Sequence, residues 1–248
     1  MSDNLLRFTT AVSAAAAGYS EQGGIGTYSE KMLHRVLKFY FEPCEDNHEI
    51  DYLGSVADIL NGEGVTEIQT ASFNRLLPKL RRFLPETKVR VVCPVVEQRT
   101  IMRVDLESGE SRPPRKSPKK GKPSDAFANI SMIRDFVCDP NLEVVIVMLD
   151  VTETRLISGK VKVGRKRTDK VNSMPTALNS EITLRRPEDY LALLPEDMPT
   201  EFSAKEFSSR LGLKGMGAHG SLMLLMQLGL LSRRKEGRAY IYTMVKPD

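Results

Sequence analysis

Residues 89–96, VRVVCPVV, are apolar but for Arg90, and they constrain the fold more than any other stretch of the chain. A strand with one wet face alternates polar and apolar residues, whereas a near-continuous apolar run belongs to a strand covered on both faces. The run EVVIVMLDVTETRLI, from Glu143, reads as a second buried strand leading outward. Helical periodicity lies on either side of these strands. Residues 27–40 put Leu33, Val36, Leu37 and Tyr40 on one stripe, Thr27 and Glu30 have the form of a capping box, and Pro43 ends the helix. The pieces HEIDYLG, VADIL and VTEIQT, with an Asn61-Gly62 turn between the last two, predict three consecutive antiparallel strands. In SFNRLLPKLRRFL, residues Phe73, Leu76, Leu77, Leu80 and Phe83 form another helical stripe, which Pro78 should kink or shorten. The order is helix, three strands, helix, strand, which is an α/β class.

Beyond residue 96 the pattern predicts a β-hairpin through RTIMRVDL and a Ser-Gly turn, then an exposed basic loop over residues 112–122. SDAFANISMIRDFV and RRPEDYLALLP read as helices, and the basic stretch around Gly164 as a loop or hairpin. Three divisions follow: a flexible tail over 1–26, an α/β domain over 27–194, and a separate module over 199–248. No internal repeat is visible.

With 248 residues and a hydrophobic fraction of 41%, one large domain or two modest ones can bury a core. No apolar run approaches the roughly 20 residues that span a bilayer, and the first 26 residues lack a secretory pattern, so a cytoplasmic protein is expected. Three widely spaced cysteines (Cys44, Cys93, Cys138) predict reduced thiols. His34, His48 and His219 have no zinc-ligand spacing. The net charge of +4 is mild but segregated. Residues 112–122 carry +6, residues 160–170 carry +5 and residues 199–248 carry +4, leaving about −11 elsewhere by formal counting. Such segregation points to a polyanionic partner. Arg115, Lys116, Lys119, Lys120, Arg165, Lys166 and Arg167 are the candidate contacts in the two basic stretches.

Asp58 lies on the second predicted strand and Glu67 on the third, with Gln69 on the same face as Glu67 by strand alternation. Element order and acid positions together resemble the PD-(D/E)XK nuclease superfamily over residues 27–96, through Val56-Ala57-Asp58 and Glu67-Ile68-Gln69. The resemblance implies a restriction-endonuclease-like αβββαβ core that hydrolyses DNA phosphodiesters with Mg²⁺ or Mn²⁺. Asp58, Glu67 and the carbonyl of Ile68 would be the metal ligands, and Glu30 on the first helix would complete the site. Mg²⁺ takes one or two carboxylates and keeps several waters, so this donor set is chemically apt. Gln69 departs from the pattern, because a lysine normally stands there and glutamine brings no charge. Lys79 or Lys160 could migrate into that role. Without the resemblance, Glu30 is simply a capping residue and Asp58 and Glu67 are solvated carboxylates on a sheet face.

The last fifty residues read as helix, turn, helix and β-hairpin. Ser203 is the expected N-cap, Phe207 and Leu211 line the first helix, residues 214–217 turn, and residues 218–228 form the second helix. LGLLSRRKEGRAYIYTMV gives the hairpin, with Glu236-Gly237 at its tip. This resembles the winged-helix superfamily, which implies a recognition helix in a groove and a wing on phosphates. Arg233, Arg234, Lys235 and Arg238 suit the wing role. The second helix opens with small residues, has Gln227 as its one long polar side chain, and offers little means of reading bases, so sequence-loose binding is expected. Met216, Met223 and Met226 are assigned to the core, and His219 to a surface or phosphate contact.

Three functions remain open from the sequence. They are a metal-dependent deoxyribonuclease, a non-catalytic DNA-binding regulator with a nuclease-like fold, and an assembly protein, with a homodimer allowed in each. Walker-type phosphate loops, GxSxG elbows and HExxH motifs are absent from the chain.

Overall fold

The computed structural model describes residues 3–17, 28–105, 108–162 and 165–245; side chains at 3, 28–31, 158–162 and 165–172 are outside the description. Thr27 and the side chains of Glu30, Lys160, Arg165, Lys166 and Arg167 therefore lie outside it. The chain forms two compact units, each gathered from three stretches: Met1–His48, Val96–Gly121 and Val147–Ser180, then Glu49–Val95, Lys122–Ile146 and Glu181–Asp248. This differs from the sequential division expected from composition, because the long strands below run through the boundaries.

In the first unit, α1 (Asp3–Ala17) packs on α2 (Tyr28–Phe41). Residues 3–17 of the segment read as a flexible tail are thus a helix. Its signal was present: Phe8, Ala11, Val12 and Ala15 recur at helical spacing, and Phe8, Ala11 and Ala15 are buried against Met32, Val36, Phe39 and Tyr40. Arg7 locks the pair by donating to the Tyr40 carbonyl at 3.0 Å while its guanidinium lies over the Tyr40 ring. The unit also holds β5 (Ser111–Lys116), antiparallel to the later residues of β4 (Val89–Asp105), with Ile101 opposite Arg115 and Thr100 opposite Lys116. Residues 112–116, expected in a loop, are therefore strand. Pro113 and Pro114 fall where the β4–β5 register shifts between Ile101 and Arg103, an irregularity in which prolines are tolerated.

The second unit contains β1 (His48–Tyr52) from Glu49 onward, β2 (Ser55–Asn61) and β3 (Gly64–Ile68). Strand β3 is antiparallel to β2 and parallel to β4, with Val65 opposite Val89 and Ile68 opposite Val92. The hydrogen-bonded order is β1-β2-β3-β4-β6-β7, where β6 (Leu142–Lys162) contributes its first residues and β7 (Arg165–Leu184) its last. The fold is mixed α/β around a large mixed sheet. Val89, Val91, Val92 and Cys93 are all buried, as are Val144 and Ile146, which accounts for the two apolar runs.

A 3-10 turn (Phe73–Leu76) leads into α3 (Leu77–Phe83), with Pro78 in its first turn, where no helical amide is lost. Residues 123–136 form a 3-10, α4 (Phe127–Ile130) and 3-10 series instead of one helix, and residues 187–193 are 3-10. The C-terminal elements are β8 (Glu201–Ser203), α5 (Ala204–Leu211), α6 (Gly215–Gln227), β9 (Leu231–Glu236) and β10 (Ala239–Met244), in sheet order β8-β10-β9. Ser203 caps α5 through a reciprocal pair with Glu206, as the sequence predicts. Strand β8 was not foreseen, and α6 begins at Gly215, inside the expected turn.

Leu53 and Gly54 join β1 to β2 in a two-residue loop with both φ angles positive, at 49° and 72°. Asparagine tolerates that backbone and leucine does not, and Leu53 is 47% exposed, so its side chain gains little from burial. Leu53→Asn is expected to stabilise the protein by about 1 kcal/mol, read as a higher denaturant midpoint. An unchanged or lower midpoint would show that the exposed leucine makes a contact worth more than the strain.

Candidate active site on β2, β3 and α3

Backbone pairing between β2 and β3 is regular from Asn61–Gly64 to Ile59–Thr66. One position further, Asp58 faces Glu67 and side chains replace the ladder. The Asp58 carboxylate accepts the Ile68 N–H at 2.8 Å, and the Glu67 carboxylate accepts the Asp58 backbone N–H. The two acids predicted from adjacent strands are therefore brought together.

The cation of this site comes from α3. Lys79 Nζ donates to both carboxylate oxygens of Glu67, at 2.9 and 2.8 Å. Leu76, Leu80 and Phe83 bury one face of that segment, and Lys79 lies at its margin, so the stem packs while the ammonium reaches the sheet. Gln69 does not share the lysine's role. Its side-chain amide donates to the Ser72 carbonyl at 3.1 Å and its backbone N–H to the Val92 carbonyl, so it closes the turn after β3. Lys79 was one of two lysines named for this position, and no spacing rule separates it from Lys160. Only the path of α3 over the sheet does.

Glu67 is 2% exposed, and its pKa is pushed up to about 7. Burial is the main cause and the nearby charge of Asp58 the next, while the Lys79 bond and charge and the Asp58 amide pull the other way. Among the described residues, no group of three or more His, Cys, Asp or Glu side chains could hold a metal. Asp58 and Glu67 can offer carboxylate oxygens, which meets the minimum for Mg²⁺.

The remaining candidates fall in separate units. Arg115 and Lys116 on β5, with Lys119 and Lys120 beyond it, are all exposed. On the C-terminal hairpin, the Arg233 guanidinium lies 4.5 Å from the centre of the Tyr240 ring, and Arg234 is held by both oxygens of Glu201. Lys235 and Arg238 are exposed. The methionine stripe divides: Met216, assigned to the core, is 91% exposed because it stands at the first turn of α6, while Met223 and Met226 are half-buried.

The sign of the Glu67 shift gives a test. The folded protein keeps on Glu67 a proton that the unfolded chain releases near 4.5, so between there and about 7 the folded state binds more protons. Stability attributable to this group therefore falls as pH rises through that window. Glu67→Gln is expected to remove this slope from denaturant midpoints. Lys79→Met should move the Glu67 titration, followed by the carboxyl ¹³C shift, above about 7, because it removes two influences that lower it. A wild-type midpoint near the ordinary 4.5 would contradict the account.

The profile of a family described as "Domain of unknown function (DUF8091)" matches residues 31–185. An uncharacterized protein of Treponema pallidum (strain Nichols) is 29% identical over 227 residues, covering 90% of this chain and 88% of that protein. No solved structure matches. The matched span contains Asp58, Glu67, Ile68, Gln69 and Lys79, and it ends before the C-terminal helices and hairpin. On this match over more than half its length, the chain belongs to the DUF8091 family.

Proposed function

We propose that the protein is a divalent-metal-dependent nuclease of restriction-endonuclease-like fold, with a winged-helix module at its C-terminus and DNA as substrate. The observation that carries this reading is the Lys79 ammonium on both oxygens of Glu67, with Asp58 beside it. A lysine from the helix after β3 supplies the charge that Gln69 lacks. The order α2-β1-β2-β3-α3-β4, with β3 antiparallel to β2 and parallel to β4, further supports it.

In this reading Asp58, Glu67 and the Ile68 carbonyl would hold the ion. A bound divalent cation supplies a water acidified toward neutral pH and neutralises charge at the phosphate. Lys79, within reach of the same carboxylate, would orient a water or a phosphate by donating to an oxygen. Glu67 must give up its proton to serve, so activity should rise through about pH 7, less any lowering by the ion itself.

A second reading has its own observation: Glu67 is almost wholly buried and its carboxylate fully engaged by Lys79 and Asp58. A closed ion pair of that kind serves a non-catalytic binding or assembly protein that keeps the fold.

Incubation of wild type, Asp58→Ala, Glu67→Gln and Lys79→Ala with supercoiled and linear duplex DNA in Mg²⁺ or Mn²⁺ separates the two. The nuclease reading expects wild-type cleavage, with roughly 10²-fold or greater loss in each variant. Absence of wild-type cleavage under every divalent ion would leave the second reading standing.

A further inference from the structure

The second C-terminal helix is tied to its own chain. Gly217 and Gly220 of α6 lie against α4 and the following 3-10 turn: a Cβ added at Gly217 would sit 3.2 Å from the Ala128 Cβ, and one at Gly220 would sit 2.6 Å from the Ser131 Oγ. Ser131 is buried, with its hydroxyl donating to the Ala128 carbonyl, so the second of these contacts has little room to yield. Gln227, the one long polar side chain of α6, donates to the Arg134 carbonyl at 2.9 Å. Lys122 adds a further tie by donating to the Arg210 carbonyl at the end of α5. The exposed residues left on α6 and its approach (Lys214, Met216, His219) include one cation.

The hairpin offers what α6 lacks. Strand alternation puts Arg233 and Lys235 on one face, with Tyr240 directly opposite Lys235 in register and under the Arg233 guanidinium. Arg238 stands beside the Gly237 tip, where φ is 60°. Arg234 turns to the other face and is neutralised by Glu201. Three cations, on the edge strand β9 and the loop beside it, and the exposed Tyr240 ring of β10 thus face solvent against the single acid of the hairpin, Glu236.

We propose that the C-terminal module grips duplex DNA through the β9–β10 hairpin, with α6 withheld from the groove as an internal strut. The inference rests on the nucleic-acid reading above and departs from the groove-inserted helix that winged-helix resemblance implies. Phosphates are contacted by Arg233, Lys235 and Arg238, and no base is read, because α6 is packed on α4, its Gln227 is engaged by the Arg134 carbonyl, and its exposed side chains bring a single cation. The two glycines are packing residues.

Fluorescence anisotropy of the full chain with labelled duplexes of two unrelated sequences tests this, run without divalent ions so that cleavage plays no part. Equal affinity for both duplexes is expected. Lys235→Gln with Arg238→Gln should weaken binding at least tenfold and reduce the log–log salt slope by about 2. Lys214→Gln with His219→Ala should leave both unchanged. Gly220→Ala should lower Tm by about 2–4 °C despite alanine's better helix propensity, because overpacking outweighs it. No duplex binding at low salt, a tenfold preference between the sequences, or weakening by the α6 variant equal to that of the hairpin variant would overturn the proposal. Binding retained by Asp58→Ala, or by a wild type that does not cleave, keeps this outcome separate from the nuclease reading.

Discussion

Parallel pairing of β3 with β4 governs the rest of the second unit. Parallel neighbours cannot be joined by a tight turn, so the chain between Ile68 and Val89 must cross over the sheet, and a helix is the economical way to do it. The 3-10 turn and α3 are that crossover, and they carry Lys79 over the end of β3. The contact between Lys79 and Glu67 therefore follows from connectivity as much as from charge. Opposite β3, the ladder to β2 stops at Ile59 and Thr66, and Asp58 takes the next amide with its side chain. The strands part where the carboxylates meet.

Burial sets the chemistry of that meeting. A carboxylate almost out of water, with a second acid beside it, resists ionisation; the lysine partly restores it, and about 7 is the balance. Removing one partner of such a pair commonly destabilises a protein by roughly 3–5 kcal/mol, because the other charge is left without compensation. The same arrangement serves a structural ion pair and a catalytic group poised near neutral pH.

The C-terminal module shows how packing reassigns residues. Small residues at the start of α6 suggest close approach to a phosphate, yet Gly217 and Gly220 make room for Ala128 and Ser131. Gln227, the one long polar side chain of α6, donates to a backbone carbonyl of the same chain. On the hairpin, Lys235 and Arg238 stay exposed and Arg233 lies over the Tyr240 ring. Arg234 is the exception, because β8, which the sequence did not reveal, brings Glu201 beside it.

The sequence by itself determined the α/β class, the order α2-β1-β2-β3-α3-β4 and the placement of Asp58 and Glu67 on adjacent strands, because these depend on local periodicity and on turn residues. It also determined the capping of α5 and the C-terminal hairpin with its tip at Gly237, which are set by short-range hydrogen bonding and turn chemistry. Only the tertiary structure decided which lysine accompanies Glu67, what Gln69 bonds, that the first helix packs on the second, and which face of α6 is covered. Each of those depends on residues distant in sequence arriving at one place. Lys79 is twelve residues from Glu67, and Gln227 is 93 from Arg134. No periodicity in the chain encodes such meetings; they follow from the pairing of β3 with β4 and from the close helix contact that two glycines permit.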